Sequence, residues 1–288
     1  MCAMSRQPIE WPGKARIAVS IVVNFEEGAE RLGDEYTEPS HELGAVTIGP
    51  ATEKIRNRAT ESLYRYGIRA GFWRLMDLFN KYDIKTTFLA CGQALEKNPE
   101  AAREITRQGH EPAGHGYRWI EQFNMGKDEE RDFIRKTVAA IQNTTGQKPL
   151  GWLCRFGEGP NTRELLLEEG FVYDSDSFED DLPYHEEIKG QKLVIVPYSM
   201  DTNDFKFWRI AGFYADQFER YLKDTFDCLY EEGATRPKMM SVGLHLRICG
   251  TPARALALER FIRHAKSFPN VWFARRIDIA KWWLDNYV

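Results

Sequence analysis

Apolar positions along the chain switch period at short intervals. Residues 17–25, Ile-Ala-Val-Ser-Ile-Val-Val-Asn-Phe, form an almost unbroken β-branched run, which predicts a strand covered on both faces. Phe72, Leu75, Met76, Phe79 and Tyr82 then recur at helical spacing and give one apolar helix face. A second strand is predicted over 86–90. A helix opens at Asn98-Pro99 and closes at Gly109. Further on, 127–145 reads as a helix and 150–154 as a strand. Asn161 with Glu164 marks a capping-box helix start, ended by Gly170. Strands over 193–198, 239–246 and 271–274 alternate with helices over 217–232, 251–266 and 277–286.

Seven or eight such βα units suit a barrel better than an open sheet, so the expected fold is α/β, a barrel of parallel strands ringed by helices. The expectation is a single domain over 1–288. Residues 29–66 break the pattern, being long, mixed in charge and weakly periodic. They are expected to form a loop covering a site or an oligomer interface.

Composition narrows the function classes. Apolar residues make up 43% of the chain, enough for a large core, and 43 acidic against 39 basic residues give a net charge of −4. No basic block stands out, so nucleic acid is an unfavourable partner. No run is long and apolar enough to span a membrane. The start, Met1-Cys2-Ala3-Met4-Ser5-Arg6, lacks the apolar stretch of a secretory signal, from which a cytoplasmic protein is expected. The five cysteines show no CxxC spacing, which disfavours a disulfide framework or zinc knuckle. Cys154 reads as a small buried residue rather than a nucleophile.

In an α/β barrel the chemistry gathers at the C-terminal strand ends. Those ends carry Glu26-Glu27-Gly28, His115-Gly116-Tyr117-Arg118-Trp119, Arg155, Asp174 with Asp176, Asp201 with Asn203 and Asp204, and Leu244-His245-Leu246-Arg247. This ordered set resembles the polysaccharide deacetylase (NodB-homology) family. Glu26 and Glu27 stand at that family's Asp-Asp pair, His115 at the first histidine of its second motif, Trp119 at the second histidine, Arg155 at the third motif and His245 at the last. The strings WPGKARIA, NFEEG, ESLYRYGIRAGFWRL, HGYRW, GPNTREL, YDSDSFEDDLPY, LHLR and GTPAR are similar to the metal-independent allantoinase branch. The resemblance implies a deformed (β/α) barrel of the NodB type and a homo-oligomer, tetrameric in that branch.

A deacetylase of the family holds a divalent ion with one carboxylate and two imidazoles, whereas an indole offers a cation no lone pair. Glu27 and His115 alone are too few for zinc. The expectation is no required metal or other cofactor; a zinc ion, if held, would use Glu27 and His115 with Asp174 or His185. The resemblance makes Glu26 the base, oriented by Arg155. His245 is the candidate acid for the leaving nitrogen, and His115 with backbone N–H groups faces the oxyanion. Glu27, Tyr117, Trp119, Asp174, Asp201, Asn203 and Asp204 are candidate substrate contacts, the aromatic rings stacking on a flat ureide and the polar groups reading its edge. The leading expectation is hydrolysis of a small cyclic amide, allantoin to allantoate, in purine catabolism. The alternatives are a metal-dependent N-deacetylase of acetylated sugars and an inactive binding protein.

Overall fold

The computed structural model describes residues 8–30, 58–209 and 214–288. Its nine strands are β1 (Ile17–Phe25), β2 (Thr87–Ala90), β3 (Glu111–Gly114), β4 (Gly151–Trp152), β5 (Tyr173–Asp174), β6 (Tyr184–Ile188), β7 (Gln191–Ile195), β8 (Lys238–His245) and β9 (Val271–Phe273). They form one sheet in the order β6-β7-β5-β4-β3-β2-β1-β8, with β9 on β1. Every pairing is parallel except the β6–β7 hairpin. Curled and lined by helices, the sheet is the deformed barrel expected. No helix among the described residues is long and apolar enough to cross a membrane.

Two local expectations change. Of the loop expected over 29–66, residues 31–57 lie outside the described residues, and Arg58–Tyr66 is a helix. Its sequence is mostly polar, with Tyr64 buried on its inner side, so composition hides the periodicity. The β6–β7 hairpin has no forecast for its first strand, because Tyr-His-Glu-Glu-Ile is half polar at a sheet edge. Its turn residues Lys189 and Gly190 both have positive φ, the conformation that matches hairpin twist. The helix Thr162–Glu168 does start where expected, but without a side-chain cap from Asn161. Glu164 instead pairs with Lys127 and Lys189.

Strand parity divides the core. Ile17, Val19, Ile21, Val23 and Phe25 of β1, with Met240, Val242 and Leu244 of β8, pack outward against the helices. The alternate positions face the barrel interior, where Val22, Leu89, Ala113, Leu153 and Tyr198 cluster. Gly243 is one of them. A Cβ there would lie 2.1 Å from the Tyr198 hydroxyl oxygen, which accepts hydrogen bonds from the Asn24 and Asn203 amides. Gly243→Ala is therefore expected to lower stability by about 1–3 kcal/mol through overpacking, read from the midpoint of urea denaturation.

Candidate active site

Continuing each strand by its own alternation brings the site together. In β1, the interior positions 18, 20, 22 and 24 are followed by Glu26; in β3, 111 and 113 lead to His115; in β8, 239, 241 and 243 lead to His245. The register aligns Phe25 with Ala90 and Ala90 with Gly114, so Glu26 and His115 leave the sheet at one level. Asn24 pairs with His245 on the other side. The result is a cavity of about 280 Å³ at the C-terminal mouth, with Glu26, His115 and His245 on its floor. Its walls include Trp119, Leu153, Arg155, Phe156, Phe178 and Phe205.

One oxygen organises the floor. Glu26 Oε1 lies 3.4 Å from His245 Nε2 and 3.6 Å from His115 Nε2. All three side chains are buried. His115 directs its Nδ1 to the Leu153 carbonyl at 2.7 Å and so presents Nε2 to the cavity. With Nδ1 donating, Nε2 can serve an oxyanion as a donor only in the imidazolium form. His245 Nδ1 is 2.6 Å from Asp204 Oδ1. The other oxygen of Asp204 accepts the backbone N–H groups of His245 and Cys249. Asp204 thus fixes which edge of the His245 ring faces Glu26.

The electrostatics follow from these contacts. Burial alone would raise the Glu26 carboxyl, but the charges of Arg247 and then His245, with hydrogen bonds from His115 and His245, hold it well below the usual carboxylate range. Burial alone would lower His245; Glu26 and Asp204 outweigh it and carry the imidazole up to about 9. At neutral pH the floor therefore holds an ionised carboxylate beside an imidazolium, a base and an acid in reach of one small molecule.

Several expected contacts fall elsewhere. Arg155 lines the cavity, but its Nη1 donates to the Trp119 carbonyl at 2.6 Å and its guanidinium stacks 4.1 Å from the Trp119 ring. Glu26 is held by Arg247 instead, Nη1 to Oε2 at 2.8 Å. Tyr117 turns away from the cavity, donating its hydroxyl to Glu96 at 2.9 Å beneath Lys136. Asp174 is buried against Arg163 at 3.1 Å. Asp201 pairs with Lys206 and lines a separate cavity. Glu27 follows Glu26 by one residue, so parity turns it out of the cavity. Trp119 and Asn203 do line it, and Asp204 stands behind His245. Asn24 and Tyr198 reach the cavity by strand parity, while Phe156, Phe178 and Met200 reach it from loops that carry no periodic signal and Phe205 from the short helix Asp204–Arg209. Cys154 is a buried thiol whose ionisation burial pushes well up, so it is no nucleophile.

The model of the polysaccharide deacetylase family matches residues 61–171. A Schizosaccharomyces pombe protein named for the polysaccharide deacetylases is 38% identical over 95% of this chain and 92% of its own. The chain belongs to the polysaccharide deacetylase family. Two crystal structures extend the likeness to the fold. PuuE allantoinase is 44% identical with a TM-score of 0.89, covering 98% of this chain and 95% of its own. A Pseudomonas aeruginosa PAO1 protein described as a probable polysaccharide deacetylase is 46% identical with a TM-score of 0.88, covering 96% and 94%. The chain is a hydrolase of this family acting on carbon–nitrogen bonds.

The family implies a divalent ion, and this member's donors do not fit one. Glu27 Oε1 accepts the backbone N–H of Arg247 at 3.1 Å and its Nη1 at 3.2 Å, while Oε2 accepts the Glu26 N–H at 3.1 Å. Both oxygens are taken, and Trp119 offers an N–H where the second imidazole is expected. Asp174 is committed to Arg163, and His185 is exposed on edge strand β6. Among the described residues no group of three or more His, Cys, Asp or Glu side chains is placed to hold a metal ion.

Proposed function

We propose that this deacetylase-family chain opens a small cyclic amide by hydrolysis, with allantoin, the ureide, as the leading substrate. The supporting observation is the shared oxygen, Glu26 Oε1 lying between two imidazoles on the floor of a cavity that opens at the barrel mouth. A water bound there gives a proton to Glu26 as its oxygen bonds to the carbonyl carbon, and the carbonyl electrons move to oxygen. When the tetrahedral adduct collapses, the C–N bond breaks and His245 gives its Nε2 proton to the nitrogen. The products are a carboxylic acid, which loses its proton to solvent, and a free amide or amine on one opened chain; Glu26 then returns its proton to His245 Nε2, 3.4 Å away. Trp119 Nε1 is buried with no hydrogen-bond partner among the described residues, a donor that the cavity keeps for a ligand. The aromatic walls suit a flat ring, and the likeness to PuuE allantoinase supports a ureide. The second reading is the family's namesake reaction, release of acetate from an N-acetylated sugar, favoured by the family match.

Hydantoin, succinimide, allantoin and acetylated chito-oligomers, assayed before and after exhaustive chelation, separate the two. Ring opening of at least one cyclic amide is expected, at an unchanged rate in chelated enzyme. Acetate release from the oligomers, lost on chelation and restored by zinc, would establish the second reading instead.

A further inference from the structure

Two buried carboxylates one residue apart need a positive charge between them, because like charges desolvated together are strongly disfavoured. Here an arginine supplies it. Arg247 is buried, and its Nη1 reaches both Glu26 Oε2 at 2.8 Å and Glu27 Oε1 at 3.2 Å. Its backbone N–H holds the same Glu27 oxygen. Gly67 closes against this knot, for a Cβ there would stand 2.8 Å from Glu27 Oε1 and 3.0 Å from Arg247 N. The guanidinium lies 4.5 Å from the Tyr64 ring centroid and 5.4 Å from that of Trp119. Trp119 stands at the residue where the family resemblance places a metal-binding imidazole. An indole face attracts a cation but cannot ligate one, so the arginine and the tryptophan form one consistent replacement.

We propose that Arg247 is the resident cation of the catalytic floor, a positioning residue that takes the electrostatic place of a divalent ion. It holds Glu26 by Oε2, so that Oε1 alone faces the cavity. Glu27 does not touch the substrate space; it anchors the arginine. The proposal rests on Glu26 as the base of the reaction above.

The test uses the full chain with the cyclic amide that the wild type opens, allantoin first and then hydantoin and succinimide. Arg247→Ala is expected to lower kcat by about 100-fold with KM changed far less, and millimolar guanidinium should restore part of the rate saturably while methylammonium does not. Near-normal turnover by the variant, or a folded variant indifferent to guanidinium, would overturn the proposal. Should Arg247→Ala not fold, Arg247→Lys decides. An ammonium lacks the planar fork, so a loss of about tenfold or more is expected, and full activity would overturn the role. A second arm does not depend on turnover. Wild-type protein incubated with zinc and freed of excess should retain well under one ion per chain by elemental analysis; a stoichiometric, tightly held ion would overturn the replacement. Absence of ring opening by the wild type would sink the cyclic-amide reading, and the zinc arm would still decide whether a cation site is already filled.

Discussion

Glu26→Gln is expected to reduce kcat for ring opening by about 100- to 10,000-fold, the range associated with losing a positioned general base. Glutamine keeps the length and the planar end of the side chain, so Asn24, Gly28 and the surrounding turn need not move. What disappears is the acceptor of the water's proton. The fold should survive, because Glu27 still faces the Arg247 guanidinium at 3.2 Å and one buried ion pair remains. Circular dichroism should be unchanged, and substrate binding, measured by calorimetry on the inactive variant, should stay within a few-fold of wild type. Turnover near the wild-type rate would remove Glu26 from the base role, whatever the remainder of the site does.

Asp204→Asn should have the second largest effect, and it acts on pH dependence. His245 sits at about 9 because Glu26 and Asp204 together outweigh burial. As a proton donor it works in the protonated form, so wild-type kcat/KM should hold through neutrality and fall as pH rises through about 9. Removing one of the two carboxylates moves that basic limb to lower pH. It also leaves the backbone N–H groups of His245 and Cys249 with an amide oxygen in place of a carboxylate, so ring orientation loosens and the plateau should drop by about 100-fold. The sign extends to stability. His245 is raised above its ordinary 6.5, so its proton favours the folded state; that contribution is complete below about 6.5 and is lost as pH climbs through about 9. A variant whose basic limb stays at the wild-type position would mean that another group donates the proton.

How much of this could be read beforehand differs between fold and site. The alternation of strands and helices is visible because each buried strand repeats at period two and each covering helix near 3.6. The weak points were segments whose burial is one-sided or whose sequence is mostly polar: helix Arg58–Tyr66 and strand β6. At the site, Glu26, His115 and His245 were reachable because each ends a strand with interior parity. Tyr117 and Asp201 also follow strands, and Asp174 ends β5. They sit in loops or against other charges, and proximity in sequence to a strand end does not say which way a side chain turns.

The deepest mismatch concerns the arginines. Arg155 occupies the motif position for orienting the base, yet Arg247 performs the contact. The chain turns into a short helix, Leu246–Cys249, directly after His245, which carries position 247 beside Glu26 and Glu27. Asp204 likewise reaches His245 across 41 residues. The linear chain determined the barrel and, through strand alternation, which carboxylate and imidazoles look inward, since period two is a local property of an extended backbone. Which cation neutralises the carboxylates, and which acid raises the imidazole, was decided only when β1, β8 and the loop after β7 came together. Charge–charge contacts depend on distance in space, and neighbours along the chain do not set that distance.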